Sequence, residues 1–347
     1  MKKIIFILLI LTIGLTFFGV FKENIYASQT DFPEKELQGA IMWSPGGACD
    51  TISRAVGQYV EKYLGEKIVF TNRPGAVGGI SVNYIYNKPA DGYNILFGAD
   101  NPQTAKVMGT YLLDYGDFIP LNVYAAVVGV VLVNPNSNYT SFEDLIQDIL
   151  ENPDKVSMST SGPGGFPFNI SAMMKGVYGD AFNVKYISYE GEAEAVNSLL
   201  GGHVDFTVPT LASCVEMLES GKLKGLAVIT DHSIDISPIE VLRDIPLVVD
   251  IYPEFDKYLP FGSFFGAYIK KGTPQEIVDK LTNAFNQAAS DPDLQEKLIN
   301  LGVLPMNLSG QEAVDYVENY KKIGSWLLYE AGQAQFSPEE FGIKKPE

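Results

Sequence analysis

Three stretches of the 347-residue chain combine glycine, proline and small residues where a strand would give way to a helix. They are Met42-Trp43-Ser44-Pro45-Gly46-Gly47-Ala48-Cys49-Asp50, Arg73-Pro74-Gly75-Ala76-Val77-Gly78-Gly79 and Ser159-Thr160-Ser161-Gly162-Pro163-Gly164-Gly165. A strand that stops at glycine and feeds a helix turns unpaired backbone N–H groups outward, with the positive end of the helix dipole behind them. The chemistry available there is anion binding by main-chain amides. Loops of this kind converging from two lobes would enclose a small carboxylate. Glycine also serves such turns for their own sake, so each loop alone carries both readings.

Candidate amide donors are Gly46, Gly47, Ala48, Ala76, Gly78, Gly164 and Gly165, and Ser44, Asn101, Thr160 and Ser161 add side-chain donors. Asp50 is placed to cap its helix or to orient a water. Trp43 and Tyr189 suit either a ligand's carbon skeleton or the core. Other chemistries fit less well. His203 and His232 are the only histidines, and neither has a partner at metal-ligand spacing. Cys49, near a helix start, could carry a lowered pKa and face His203 across a cleft, as a cysteine-dependent enzyme would require. No third group orients that pair, and Ser161 does not sit in a Gly-x-Ser-x-Gly elbow. Neither a dinucleotide fingerprint nor a Walker lysine is present. The expectation is therefore a binding site with no catalytic residue, no metal and no cofactor.

The elements that position these loops alternate. Gly39–Trp43 reads as a strand, and after Asp50 a helix places Ile52, Ala55, Val56, Tyr59, Val60, Tyr63 and Leu64 on one stripe before Gly65 stops it. Strands at 68–70 and 93–97 flank a helix at about 79–87, which makes βαβ units of an α/β fold. Ligands of such sheets bind beyond the carboxyl ends of the strands, where all these loops fall. The apolar run Val123–Val133 is expected to be one strand that crosses into a second lobe, where the alternation repeats to Ile229. Residues 231–260 are irregular, and Ser263–Ile269 is the return strand. Thr273-Pro274-Gln275-Glu276 predicts a capping box, and the helices that follow, the last opening at Ser309, are expected to pack back on the first lobe. The expected domains are 36–133 plus 263–347, and 134–262, with the ligand cleft between them.

Composition narrows the class. At 46% hydrophobic and 19% charged the chain is an ordinary globular protein, and its net charge of −17 offers no basic face to a nucleic acid. Lys2 and Lys3, the uncharged run 4–21 and Ala27 have the layout of an export signal spanning 1–27, either cleaved or kept as an anchor. The folded part is expected outside the cytoplasmic membrane. Cys49 and Cys214, the only cysteines, are expected as free thiols.

Taken together, the motifs resemble the extracytoplasmic solute receptors of tripartite tricarboxylate transporters, the TctC or Bug family. The matching residues are Pro45-Gly46-Gly47 with Asp50 and Arg54; Asn72-Arg73-Pro74-Gly75-Ala76 with Gly78; Asp91-Gly92-Tyr93; Asp117-Phe118 with Pro120; Gly162 with Gly164; Tyr189 with Gly191; Gly202 with Asp205; Gly221-Lys222-Leu223; and Gly272-Thr273-Pro274. The resemblance implies a two-lobed periplasmic-binding-protein fold of type II, each lobe a mainly parallel sheet flanked by helices, with two crossover strands. It implies a monomer that captures a small carboxylate or amino-acid-like ligand, with Tyr189 and Asp205 joining the site, and delivers it to a large and a small membrane subunit. A sensory receptor signalling to a membrane kinase through the same cleft is the alternative. Departures from the family are Val77 and Ser81, where it often has glycine, Gly165, where it often has a hydroxyl residue, Phe168, where it often has histidine, and Glu190, where it often has a basic residue. Without that histidine and base, a monocarboxylate or zwitterion is expected rather than a citrate-like ligand, with Glu190 placed to face a ligand amine.

Overall fold

The computed structural model describes residues 31–259 and 261–346, so the expected signal segment at 1–27 lies outside the described residues. The strands are β1 (Leu37–Ile41), β2 (Ile68–Asn72), β3 (Asn94–Ala99), β4 (Phe118–Val127), β5 (Gly129–Val133), β6 (Ser157–Thr160), β7 (Lys185–Ser188), β8 (Phe206–Thr207), β9 (Lys224–Ile229), β10 (Ser263–Lys270) and β11 (Leu304–Leu308). The helices are α1 (Ala48–Leu64), α2 (Gly79–Tyr86), α3 (Phe142–Glu151), α4 (Phe166–Tyr178), α5 (Glu192–Leu200), α6 (Val215–Glu219), α7 (Val248–Ile251), α8 (Gln275–Ala289), α9 (Pro292–Asn300) and α10 (Gly310–Glu330). None of the described helices is long and apolar enough to cross a membrane.

Two sheets result, in the orders β11-β4-β10-β3-β1-β2 and β7-β6-β8-β5-β9. The βαβ strands are parallel, β1 with β2 and β3, and β6 with β7 and β8. β10 runs antiparallel to β3 and β4, and β5 antiparallel to β8 and β9. The sheets are thus mixed where mainly parallel sheets were expected, and the crossings explain it. A strand arriving from the other lobe must start at the cleft, where the βαβ strands end, so β5 and β10 are forced to run the other way.

The run Val123–Val133 is divided between the sheets at Val128, ahead of the boundary expected after Val133. Hydropathy alone hides this break, because Val123, Val130 and Val131 are all fully buried whichever sheet they serve. Pro33–Glu347 forms one compact unit.

Helices close the layers by burying one face. In α1 that face is Ile52, Val56 and Val60, and the helix ends at Gly65, whose φ of 84° lets its N–H reach the Glu61 carbonyl. α8 and α9 pack on α1 in the first lobe. α10 does more than pack back there: it also lies on α4 of the second lobe, where Leu328 joins Phe168, Ala172, Val107 and Ile343 in one buried cluster. Phe168 is therefore a core residue. The capping box at Thr273 does not form. Its hydroxyl donates to the Lys270 carbonyl (2.9 Å), and α8 starts after Pro274 without a side-chain cap.

Candidate functional site: an inter-lobe cleft

The first glycine loop is held by a polar network rather than by packing. Asp50, 7% exposed, accepts from the Gly46 N–H (3.0 Å), from Arg54 Nε (2.7 Å) and from Asn72 Nδ2 (2.9 Å). Asn72 Nδ2 also donates to the Trp43 carbonyl (2.8 Å), and Arg54 Nη2 donates to Asn72 Oδ1 (2.8 Å). This ties the end of β1 to the end of β2 and sets the direction in which α1 begins.

A narrow cavity lies between the two sheets at the carboxyl ends of their parallel strands. Its walls include Ser44, Gly47, Ala48, Cys49, Asp100, Asn101 and Ser263 from one lobe and Ser161, Phe166, Gly191, Glu192, Thr210 and Ser213 from the other. Its free volume of about 30 Å³ holds about two waters. The first residues of three helices meet there: α1 from the first lobe, α4 and α5 from the second. Their N-caps are Gly47, Gly165 and Gly191, and no side chain caps any of them. First-turn amides of both lobes are left to whatever occupies the space between them. Ser161, 5% exposed, adds a hydroxyl with no hydrogen-bond partner among the described residues. A larger hollow of about 510 Å³ behind the lobe junction, with walls at Val127, Phe261, Met306 and Ile323, offers no such convergence of amides.

The charge in the cleft is entirely acidic. Asp100, 1% exposed, accepts from the Ser263 hydroxyl and from Tyr320 Oη (2.8 Å). Burial pushes its carboxyl up to about 6, against the pull of those two hydrogen bonds. Glu192 Oε2 accepts from the Thr210 N–H (3.0 Å), Thr210 Oγ1 (2.6 Å) and Ser213 Oγ (2.8 Å). Its pKa is also raised, chiefly by burial, with repulsion from Asp100 adding to it. Glu194 completes the set, and among the described residues no Lys, Arg or His lines the cavity.

Of the residues picked out by sequence, Trp43, Ser44, Gly47, Ala48, Cys49, Asn101 and Ser161 come together in this cavity. The others are placed elsewhere, each for a visible reason. Asp50 consumes the Gly46 amide, as described. Ala76 is exposed, and Gly78 is packed against Met42, so the second glycine loop shapes the end of β2 rather than the cavity wall. Thr160 Oγ1 faces Ser188 Oγ (3.3 Å) and the Gly162 N–H (3.3 Å). The Gly165 N–H donates to the Gly162 carbonyl (2.9 Å), while Gly164 turns its carbonyl to Asn101. Tyr189 hydrogen-bonds Ser198 through its hydroxyl, and Asp205 accepts from the Ser157 N–H (2.7 Å) at the amino end of β6, the far end of the sheet. Glu190 is exposed and outside the lining, whereas Glu192 is within it.

Asp100, Gly191, Glu192, Thr210 and Ser263 went unselected. The signal was thin: Asp100 directly precedes Asn101, and Gly191 opens a helix as Gly47 does, but Thr210 and Ser263 meet the others only through long-range folding. Cys49 lines the cavity, yet burial pushes its thiol up to about 12, the reverse of the lowering a reactive thiolate needs, and His203 lies outside the lining.

A two-lobed fold with helix N-termini facing an inter-lobe cleft defines a periplasmic-binding-protein-like class. Within it, a sequence model of the tripartite tricarboxylate transporter family receptor, TctC, matches residues 52–330, and the chain belongs to that family. It is 26% identical to Protein BugT of Bordetella pertussis over 312 residues, covering 88% of this chain and 92% of that one. The periplasmic binding protein BugD superposes with a TM-score of 0.79 at 26% identity, covering 87% of this chain and 99% of that one. An R. palustris protein with adipate superposes with a TM-score of 0.79 at 25% identity, covering 88% and 99%.

Proposed function

We propose that the chain is an extracytoplasmic receptor that captures a small carboxylate-bearing ligand between its lobes and delivers it to the large and small membrane subunits of a tripartite tricarboxylate-type transporter. It acts as a monomeric binding protein and not as an enzyme. One observation carries this reading: three helix N-termini, each glycine-capped and without a side-chain cap, meet at a single cavity from both sheets. Neutral, pre-oriented amides can take up a carboxylate without burying a counter-charge. In this reading Ala48, at the start of α1, and Ser161 are donors to the carboxylate, with Ser44 and Asn101 beside them, while the Gly47 N–H donates to the Ser44 carbonyl (3.5 Å) and shapes the turn. The adipate of the R. palustris relative supports a carboxylate as the ligand class. The high pKa of Cys49 supports a non-catalytic cleft.

The test is a thermal-shift screen of the exported protein against monocarboxylates, dicarboxylates and amino acids, followed by calorimetry on the hits. One-to-one binding without chemical conversion is expected, and a ligand at a hundred times its Kd adds about 2.7 kcal/mol to stability. A screen in which no acid raises the melting temperature removes the reading. Uptake into vesicles holding the two membrane subunits should require the receptor.

A further inference from the structure

A cleft meant only for anions would be expected to hold bases or neutral donors. This one holds acids, Asp100 buried and Glu192 half-buried. Asp100 stands at the end of β3 with Ser263 and Tyr320 donating to its two oxygens. Across the cavity, Glu192 opens α5, and every donor it has among the described residues falls on Oε2: the Thr210 amide, the Thr210 hydroxyl and the Ser213 hydroxyl. Oε1 takes none. The titratable groups that face this pair are Glu194, Cys49 and Cys214 around Glu192 and Tyr111, Tyr115, Tyr268, Tyr316 and Tyr320 around Asp100, and among the described residues no Lys, Arg or His lines the cavity. Independently of the acids, the buried Ser161 hydroxyl lines the same cavity with no partner among the described residues. Acid and donor are thus offered to one occupant, the donor beside the helix N-termini and the acid at Glu192.

We propose that the ligand is a zwitterion, an amino acid whose carboxylate is held by the α1 and α4 amides with Ser161 and whose ammonium group is held by Glu192 Oε1, with Asp100 behind it. This rests on the carboxylate reading above and narrows it. Both acids are held partly against their charged state by burial, and a bound ammonium group supplies the missing opposite charge. The role that sequence suggested for Glu190 passes to Glu192, two residues along, because the first turn of α5 points into the cleft and Glu190 does not line it.

The experiment compares matched probes by calorimetry on the exported protein: alanine with propanoate, leucine with 4-methylpentanoate, aspartate with butanedioate and 4-aminobutanoate with butanoate, plus butylammonium as an amine without a carboxylate. At least one amino acid should bind saturably, with its deaminated partner weaker by about tenfold or more. Glu192→Gln should erase that preference, bringing each amino acid level with its deaminated partner. A deaminated acid that matches or exceeds its amino partner overturns the zwitterion and leaves the carboxylate reading standing. Butylammonium binding as tightly as the best amino acid overturns the carboxylate reading instead. If no probe of either kind binds, both fall. The wild-type comparison decides the matter even if Glu192→Gln does not fold.

Discussion

Asn101 Nδ2 donates to the Gly164 carbonyl at 2.9 Å, a buried hydrogen bond between the loop after β3 in one lobe and the third glycine loop in the other. The same amide accepts from Trp43 Nε1 (3.2 Å), so one side chain clamps two loops of its own lobe to the loop opposite. Ser44 and Gly191 also approach across this gap: a Cβ on Gly191 would lie 3.7 Å from Ser44 Oγ. With room for only about two waters inside, the arrangement is a closed one, and Asn101 is its latch.

Asn101→Ala removes the latch. The variant should lose about 1–3 kcal/mol in urea unfolding, because the part-buried Trp43 indole N–H loses its acceptor and the buried Gly164 carbonyl keeps only the longer bond from Asn169 Nδ2 (3.4 Å). Its radius of gyration by small-angle scattering should also exceed that of the wild type before ligand is added. An unchanged radius would show that the contact does not hold the lobes together.

Asp100→Asn tests whether a buried charge is maintained at the expense of stability. A carboxyl whose folded pKa is raised from 3.8 to about 6 stabilises the fold most below its unfolded pKa, and that contribution is lost as pH rises through 6. The variant should therefore be the more stable protein at pH 8, by up to about 3 kcal/mol, and equal to the wild type near pH 4. Denaturant melts at the two pH values measure this. A difference that does not vary with pH would contradict the assignment.

Gly47→Val probes the approach of the α1 terminus to the ligand. Gly47 has φ −79°, open to any residue, and a Cβ there meets only the Ser44 carbonyl, at 3.6 Å. The fold should tolerate valine with a change below about 0.5 kcal/mol, as for a substitution that breaks nothing. The branched side chain would then fill the cavity beside the first-turn amides, and calorimetry should find ligand binding abolished. Retained affinity would move the ligand away from α1.

Val77 sits at φ 52°, in the left-handed region that a β-branched residue rarely adopts, and Ala76 before it at φ 49°. Tyr111 Oη donates to the Val77 carbonyl (3.1 Å) and holds the loop there. Backbone strain of about 1–3 kcal/mol outweighs the entropic penalty of glycine, about 0.5–1 kcal/mol. Val77→Gly should leave stability unchanged or raise it by up to about 1 kcal/mol, against the usual direction for such a change. A loss above that amount in a thermal melt would rule out strain.

Much of the molecule was legible before any coordinates. The periodicity of α1, the glycine that ends it and the loops at the carboxyl ends of β1 and β6 follow from residue type, because helix stripes, left-handed caps and strand ends are set by a few neighbours. Glycine also marks strand-to-helix turns, and Ser44, Gly47, Ala48 and Ser161, which line the cavity, lie in two of them.

Chain order alone determined the alternating α/β elements, the three glycine loops and the acidic balance of the chain, all properties of local pattern and composition. Tertiary structure decided where the valine run divides between sheets, that α10 bridges the lobes, and which polar groups share the cleft. Asp100, Glu192, Thr210 and Ser263 lie far apart in the chain, and nothing in their local sequence separates a buried acid facing a cavity from a solvated one. Only the packing that removes water from around them, and brings Ser263 and Tyr320 onto Asp100, gives those residues their chemistry.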